Sequence, residues 1–210
     1  MKLGSLIIVD DDSYSRTLLA TALKGVGFDI VLSTGSASES FEPFSSRQVD
    51  LALIDLDLGR GPNGKDVAYK MRELQPNIGL VLITSFTDHR AAGDPWRVLP
   101  IGMRHITKTT LEDINQLVKI LLLAKSKPLS KVNNQKNKES PLTDNQIELL
   151  RLINMGFSNQ EIARQLHISV SGVEKTISRI NHILNFDQDN SLNPRIALVR
   201  YFSKLTGKGQ

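Results

Sequence analysis

There is no cysteine among the 210 residues. That excludes a disulfide framework and any thiolate metal centre, and it suits a reducing compartment. Aromatic residues make up only 5%, and the single tryptophan, Trp96, reads as a packing residue rather than a binding platform. No apolar stretch approaches the roughly 20 residues of a membrane helix. The longest, around Ile120 to Ala124, is far too short, and Met1 to Gly4 holds no apolar segment of signal length. A soluble, cytoplasmic chain without a membrane partner is the expectation. His89, His105, His167 and His182 show no ligand spacing, and the chain has neither an internal repeat nor a glycine-rich phosphate loop.

The length points to two domains, each able to bury its own core. A net charge of +4 conceals an asymmetry. Residues 1–124 carry 13 basic against 15 acidic residues, 125–140 carry five against one, and 141–210 carry eight against six. The basic balance belongs to the second half and its approach, which hints at a polyanion partner there.

Leu51-Ala52-Leu53-Ile54 is an apolar run without polar alternation, the mark of a strand covered on both faces. It delivers Asp55 to a carboxyl end, where ligands sit in open α/β sheets. Leu6 to Val9 is a second such strand, ending in Asp10-Asp11-Asp12. Phe28 to Leu32 reads as another strand, Gly79 to Ile83 as a further apolar one that delivers Thr84, and a short strand from Arg104 to Ile106 leads to Lys108. Helices are predicted over Ser13–Lys24, weakly over Ser36–Phe44, and over Lys65–Leu74 and Thr110–Ala124. Asp12 or Ser13 caps the first. Phe86 to Met103, with Gly93, Pro95, Pro100 and Gly102, reads as irregular. Strands alternating with helices imply a parallel sheet.

Asp10, Asp11, Asp55, Thr84 and Lys108 thus gather at the carboxyl ends of strands. Carboxylates within about 4 Å repel by roughly 4 kcal/mol per pair at an effective dielectric of 20, so they take up protons or hold a cation. Oxygen ligands alone select Mg²⁺. With a lysine beside it, that ion would neutralise a phosphoryl group arriving on Asp55, and Thr84 can hydrogen-bond a phosphoryl oxygen.

On these residues, positions 5 to 124 resemble a receiver domain of a bacterial two-component response regulator. The resemblance implies a flavodoxin-like α/β fold with a five-stranded parallel sheet and a sensor histidine kinase as partner. It makes Asp10 and Asp11 the acidic pair, Asp55 the phospho-acceptor, Thr84 the switch hydroxyl and Lys108 the invariant lysine. It assigns to Asp57 a backbone carbonyl on the metal. This sequence departs from the pattern in several places. Gly59 stands where Pro is usual, the loop to Gly64 is one residue longer, His105 replaces an aromatic Tyr or Phe, and Thr109 replaces a frequent Pro. Phosphorylation chemistry is intact in this reading, whereas its readout is not standard.

Lys125 to Pro141 has the composition of a mobile connector, or of a strip that grazes DNA phosphates. It separates a receiver at 1–124 from a small all-α domain at 142–210. Thr143 caps a helix carrying Ile147, Leu150 and Ile153, and Gly156 ends it. Ser158 caps Asn159–Leu166, and Ser169 caps a longer helix with Val173, Ile177, Ile180 and Leu184 inward. Ser171, Glu174, Lys175, Ser178, Arg179 and His182 face outward. A short helix, a tight turn and a longer helix with a polar face make a helix-turn-helix. The stretch LTDNQIELLRLINMGFSNQEIARQLHISVSGVEKTISRI is similar to the LuxR-type DNA-binding domain of NarL/FixJ-class regulators over residues 142 to 185. That implies contacts with double-stranded promoter DNA from Asn159, Ser171, Glu174, Lys175, Ser178 and Arg179. Glu174 falls where family members commonly place a DNA-contacting Lys, and Gly172 where they usually have Thr. Glu174 either accepts from a cytosine or weakens phosphate attraction. A fourth helix, Asn193 to Leu205, opens with Pro194 at its first position; the resemblance makes it a homodimer surface, and its apolar residues equally suit a core.

The whole reads as a transcription regulator rather than an enzyme. Two alternatives stay open. One is a receiver that needs no phosphate, suggested by His105 and the irregular segment. The other is a haloacid-dehalogenase-type phosphatase, because Asp55-Leu56-Asp57 is similar to its Asp-x-Asp. In that alternative Asp10 and Asp11 go unused, and no acidic pair follows Lys108.

Overall fold

The computed structural model describes residues 2–59, 61–86, 88–91, 99–108, 113–130, 140–186 and 193–206. The chain forms two compact units, Met1–Ser85 with Arg97–Asn134, and Phe86–Trp96 with Gln135–Gln210.

In the first unit, strands β1 (Gly4–Val9), β2 (Phe28–Thr34), β3 (Leu51–Asp55), β4 (Gly79–Thr84) and β5 (Arg104–Thr107) alternate with helices α1 (Ser13–Gly25), α2 (Gly64–Leu74) and α3 (Ile114–Ser126). All pairings are parallel, in the order β2-β1-β3-β4-β5. The apolar runs form the central strands because both faces are covered. Leu6, Ile8, Leu51, Leu53, Val81 and Ile83 pack with Leu19 and Leu23 of α1 and with Leu117, Leu121 and Ala124 of α3. The alternate residues Ile7, Val9, Ala52, Ile54, Leu80 and Leu82 point to the opposite face and are equally buried. Each such side chain contributes about 1.5–3 kcal/mol, so the sheet is a rigid base for whatever its strand ends carry.

Polar residues set the helix starts. Asp12 accepts from the Tyr14 and Ser15 amides at α1, and Asn63 forms a capping box with Asp66 at α2. At α3, Asp113 accepts from the Gln116 amide, so the described helix begins at Ile114 rather than Thr110; residues 109–112, Thr109 among them, lie outside the described residues. The weak helix predicted over Ser36–Phe44 is a 3-10 helix, Glu39–Ser45, with Pro43 inside it. A proline without an N–H suits that short form better than an α-helix. In the irregular segment a 3-10 turn, His89–Ala91, is described, whereas Gly93, Pro95 and Trp96 lie outside the described residues.

The predicted connector begins as ordered chain. Arg72 donates to the carbonyls of Pro128 and Ile101, both at 3.1 Å, and Arg104 to the Ser130 hydroxyl at 3.4 Å. Gly102, at φ +78°, leaves the room that Pro128 occupies. Lys131 to Glu139 lie outside the described residues.

The second unit contains α4 (Asp144–Asn154), α5 (Asn159–Gln165), α6 (Val170–Ile183) and α7 (Pro194–Leu205). Thr143, Ser158, Ser169 and Asn193 cap them as their residue types dictate. Ile147, Leu150, Ile153, Ile162, Val173, Ile180, Leu198 and Phe202 form the buried apolar set. Gly156, at φ +87°, and His167, at φ 54°, carry the left-handed turns after α4 and α5. Histidine is among the few non-glycine residues that tolerate that region. This unit also holds a buried arginine. Arg90 donates to both oxygens of Asp88 (2.7 and 3.0 Å), to Asp144 Oδ1 (2.8 Å) and to the carbonyls of Leu142 (2.9 Å) and Ser140 (3.3 Å).

Candidate functional site: an acidic cluster and a polar helix face

Strand register builds the acidic cluster. Val9 pairs with Ile54, so Asp10 follows beside Asp55, and side-chain alternation puts both on the side of Leu6, Ile8, Leu51 and Leu53. Ile83 pairs with Asp55 and Thr84 with Thr107, which brings Thr84 and Lys108 to the same rim. The Lys108 amide donates to the Thr84 carbonyl at 2.6 Å. Thr84 is fully buried there.

Oxygens of Asp10, Asp11 and Asp55 lie within 4.8 Å of one another. Asp10 is fully buried and Asp55 is 6% exposed, whereas Asp11 faces solvent. The Lys108 ammonium bridges the two buried acids, 2.7 Å from Asp55 Oδ2 and 3.0 Å from Asp10 Oδ2. Burial pushes the Asp55 carboxyl above the usual aspartate value; hydrogen bonding and charge from Lys108 oppose this, and the Asp10 charge adds to it. For Lys108 burial pulls the other way, but its hydrogen bonds and charge contacts with Asp55 and Asp10 hold it above the ordinary lysine value. One lysine therefore leaves the pocket short of positive charge. The three carboxylates form an oxygen-only donor set, which fits a hard divalent ion such as Mg²⁺.

Three residues that sequence reasoning passed over complete this site. Ser15 donates to Asp10 Oδ2 at 2.7 Å, which fixes that carboxylate while its other oxygen accepts the Asp12 amide at 3.0 Å. Arg16 donates to the carbonyl of Asp10 at 2.6 Å and to that of Asp11 at 3.4 Å, clamping the acidic turn. Gly64 packs on the end of β3, where a Cβ would fall 2.9 Å from Leu56 Cα and collide with the Asp55 carbonyl. Ser15 and Arg16 had a signal, since they lie in the first turn after the acidic triplet. Gly64 had only its place at the end of a turn-rich loop. Asp57 donates its amide to Asp55 Oδ1 at 3.4 Å, and its exposed side chain accepts from the Gly59 amide.

On α6 the structure places Ser171, Glu174, Lys175, Ser178 and Arg179 at the exposed surface, with Val173 and Ile180 inward. Asn159 is half-buried, and its side-chain oxygen accepts from Arg195 Nη1 at 2.9 Å. The same arginine donates to the Phe157 carbonyl, so it ties α7 to the start of α5. Arg195 carries this link with no signature of its own in the sequence.

Comparison with known proteins matches the response regulator receiver domain over residues 6–122 and the bacterial regulatory proteins of the luxR family over residues 140–192. The Fimbriae Z protein of Salmonella typhimurium is 28% identical over 211 residues, covering 96% of this chain and 97% of that one. The response regulator protein VraR of Staphylococcus aureus is 28% identical over 186 residues, covering 83% and 87%. Among solved structures, RcsB of Salmonella enterica serovar Typhimurium, bound to promoter rprA with a phosphomimetic, superposes with TM-score 0.57 at 18% identity over 95% of this chain and 98% of that one. Full-length FixJ of B. japonicum gives TM-score 0.50 at 19% identity over 99% and 98%. At these identities the structures speak for the fold alone.

Proposed function

Because this chain belongs to the response regulator receiver family and continues into a luxR-type DNA-binding segment, it is a two-component response regulator and not an enzyme, and we propose that Asp55 is its phospho-acceptor. Membership sets aside the phosphatase alternative. The single observation behind the proposal is the bridged cluster of Asp10, Asp55 and Lys108 at one strand rim.

In this reading an Asp55 oxygen attacks the phosphorus of a phosphohistidine on a sensor kinase. The new O–P bond makes an acyl phosphate, and the N–P bond breaks with its electron pair returning to the imidazole. Lys108 pairs with a transferred phosphoryl oxygen in this reading, and the Thr84 hydroxyl donates to another. Asp10, Asp11, Asp55 and the Asp57 carbonyl are the groups that would hold Mg²⁺, which when bound supplies charge neutralisation to the phosphoryl oxygens. Ser15 and Arg16 keep the Asp10–Asp11 turn in place. The intact cluster favours this over a receiver that needs no phosphate.

The C-terminal helices bind promoter DNA, with Ser171, Glu174, Lys175, Ser178 and Arg179 toward the major groove and Asn159 toward the backbone. Net charge of only +2 over residues 141–210 gives weak monomeric attraction, so two copies act on adjacent half-sites. Ile196 on α7, 50% exposed, is available for that pairing. No described helix is long and apolar enough to cross a membrane, and a cytoplasmic site of action completes the proposal. Acetyl phosphate with Mg²⁺ tests it: the full chain takes up phosphate and Asp55→Ala does not. Label that survives Asp55→Ala, or no label on the wild type, overturns the assignment.

A further inference from the structure

We infer that Glu174 selects the DNA sequence by accepting a hydrogen bond from the 4-amino group of a cytosine in the major groove. This rests on the DNA-binding reading above and carries it from promoter DNA to one base. Among the described residues of the helical unit, every other carboxylate has an arginine partner. Asp88 and Asp144 share Arg90, Glu148 pairs with Arg151, and Glu161 pairs with Arg164. Glu174 is exposed and has no such partner among the described residues. Its own helix offers none, because the positions three and four residues away are Ser171, Val170, Ile177 and Ser178.

Helical spacing then divides the outward face by charge. At about 100° per residue, Lys175 lies about 100° and Arg179 about 140° around the axis from Glu174, with Ser178, Ser171 and His182 between. One flank of α6 is cationic, the other acidic, and the middle carries two hydroxyls and an imidazole. A helix seated in the groove with its cationic flank on one phosphate strand keeps the carboxylate off the backbone only by turning it toward base edges. An ionised carboxylate is acceptor-only. The major-groove amino donors are cytosine N4 and adenine N6; adenine N6 lies between two acceptors, its own N7 and thymine O4, which repel a carboxylate from both sides, whereas cytosine N4 has only guanine O6 beside it. Cytosine is the base left.

The experiment uses the full chain, with and without beryllofluoride and Mg²⁺, to enrich sites from a randomised duplex library, in parallel with Glu174→Ala and Glu174→Gln. The wild type is expected to enrich a fixed cytosine. Replacing that cytosine with a 2-pyrimidinone nucleotide, which lacks only the 4-amino group, weakens wild-type binding roughly tenfold, the size of one base contact. The same replacement leaves Glu174→Ala unchanged, and Glu174→Gln drifts toward adenine. If Glu174→Ala enriches the same sites and binds all of them more tightly, the carboxylate merely repels phosphate and the inference fails while the DNA-binding reading stands. If neither the wild type nor any variant retains duplex DNA, the DNA-binding reading fails and takes this inference with it.

Discussion

Replacing Lys108 with methionine keeps most of the stem and removes the one cation that bridges the acidic cluster. The lysine holds two buried carboxylates at 2.7 and 3.0 Å. Without it, Asp10 and Asp55 face each other with oxygens no more than 4.8 Å apart, a repulsion of about 3.5 kcal/mol at an effective dielectric of 20. Loss of one partner from a buried pair costs roughly 3–5 kcal/mol, so the two routes to the magnitude agree. The sign with pH follows from Asp55, whose carboxyl already sits above the ordinary value of 3.8. A raised acid binds its proton more readily in the native than in the unfolded state. That contribution is complete below the ordinary value, is lost as pH rises from there through the raised native value, and is constant above it. Losing Lys108 raises Asp55 further and extends that window to higher pH. The lysine's own raised value acts only above its ordinary 10.5, outside the range assayed. Urea unfolding of both proteins from pH 5 to 8, with and without millimolar Mg²⁺, measures the effect. The variant is expected to lose about 3 kcal/mol at pH 8, to recover much of it at pH 5, and to gain more from Mg²⁺ than the wild type does. Equal pH slopes and an equal Mg²⁺ response would refute the reasoning, because the carboxylates would then not be feeling one another.

Gly64→Ala drives a methyl into the Asp55 carbonyl; overpacking of this kind costs about 1–3 kcal/mol, and uptake of phosphate from acetyl phosphate should fall with it. Arg16→Ala frees the Asp10 and Asp11 carbonyls from a charged donor worth roughly 1.5–3 kcal/mol, and Mg²⁺ affinity followed by fluorescence or calorimetry should drop while α1 persists by circular dichroism. Arg90→Ala leaves Asp88 buried and unpaired, at a cost of roughly 3–5 kcal/mol; the unfolding midpoint of the full chain should fall, and Asp88→Asn in the same chain should restore part of it.

The sheet was legible because burial writes itself into composition. Three runs, Leu6-Ile7-Ile8-Val9, Leu51-Ala52-Leu53-Ile54 and Leu80-Val81-Leu82-Ile83, are apolar without alternation only if both faces are covered. Their ends were legible for the same reason, since an acid, a hydroxyl or a lysine after such a run marks the rim. Helix starts at Asp12, Thr143, Ser158 and Ser169 followed from local capping chemistry, which needs only a few neighbouring residues. The 3-10 helix at Glu39–Ser45 and the late start of α3 were less legible, because weak periodicity leaves the boundary to one proline or one carboxylate.

What the order of residues determined by itself is therefore the alternation of elements, the list of groups brought to the strand ends, and the polar stripe on α6. Tertiary structure alone decided the partners. That Lys108 bridges Asp10 and Asp55 depends on strands far apart in the chain meeting in one register. That Arg16 holds two carbonyls, that Gly64 must stay small, and that Arg90 is buried among Asp88, Asp144 and two main-chain oxygens depend on distances that no spacing along the chain encodes. Periodicity reports which face a side chain takes, because that is set by backbone geometry within a few residues. Which group waits on that face is settled only when remote segments are packed against it.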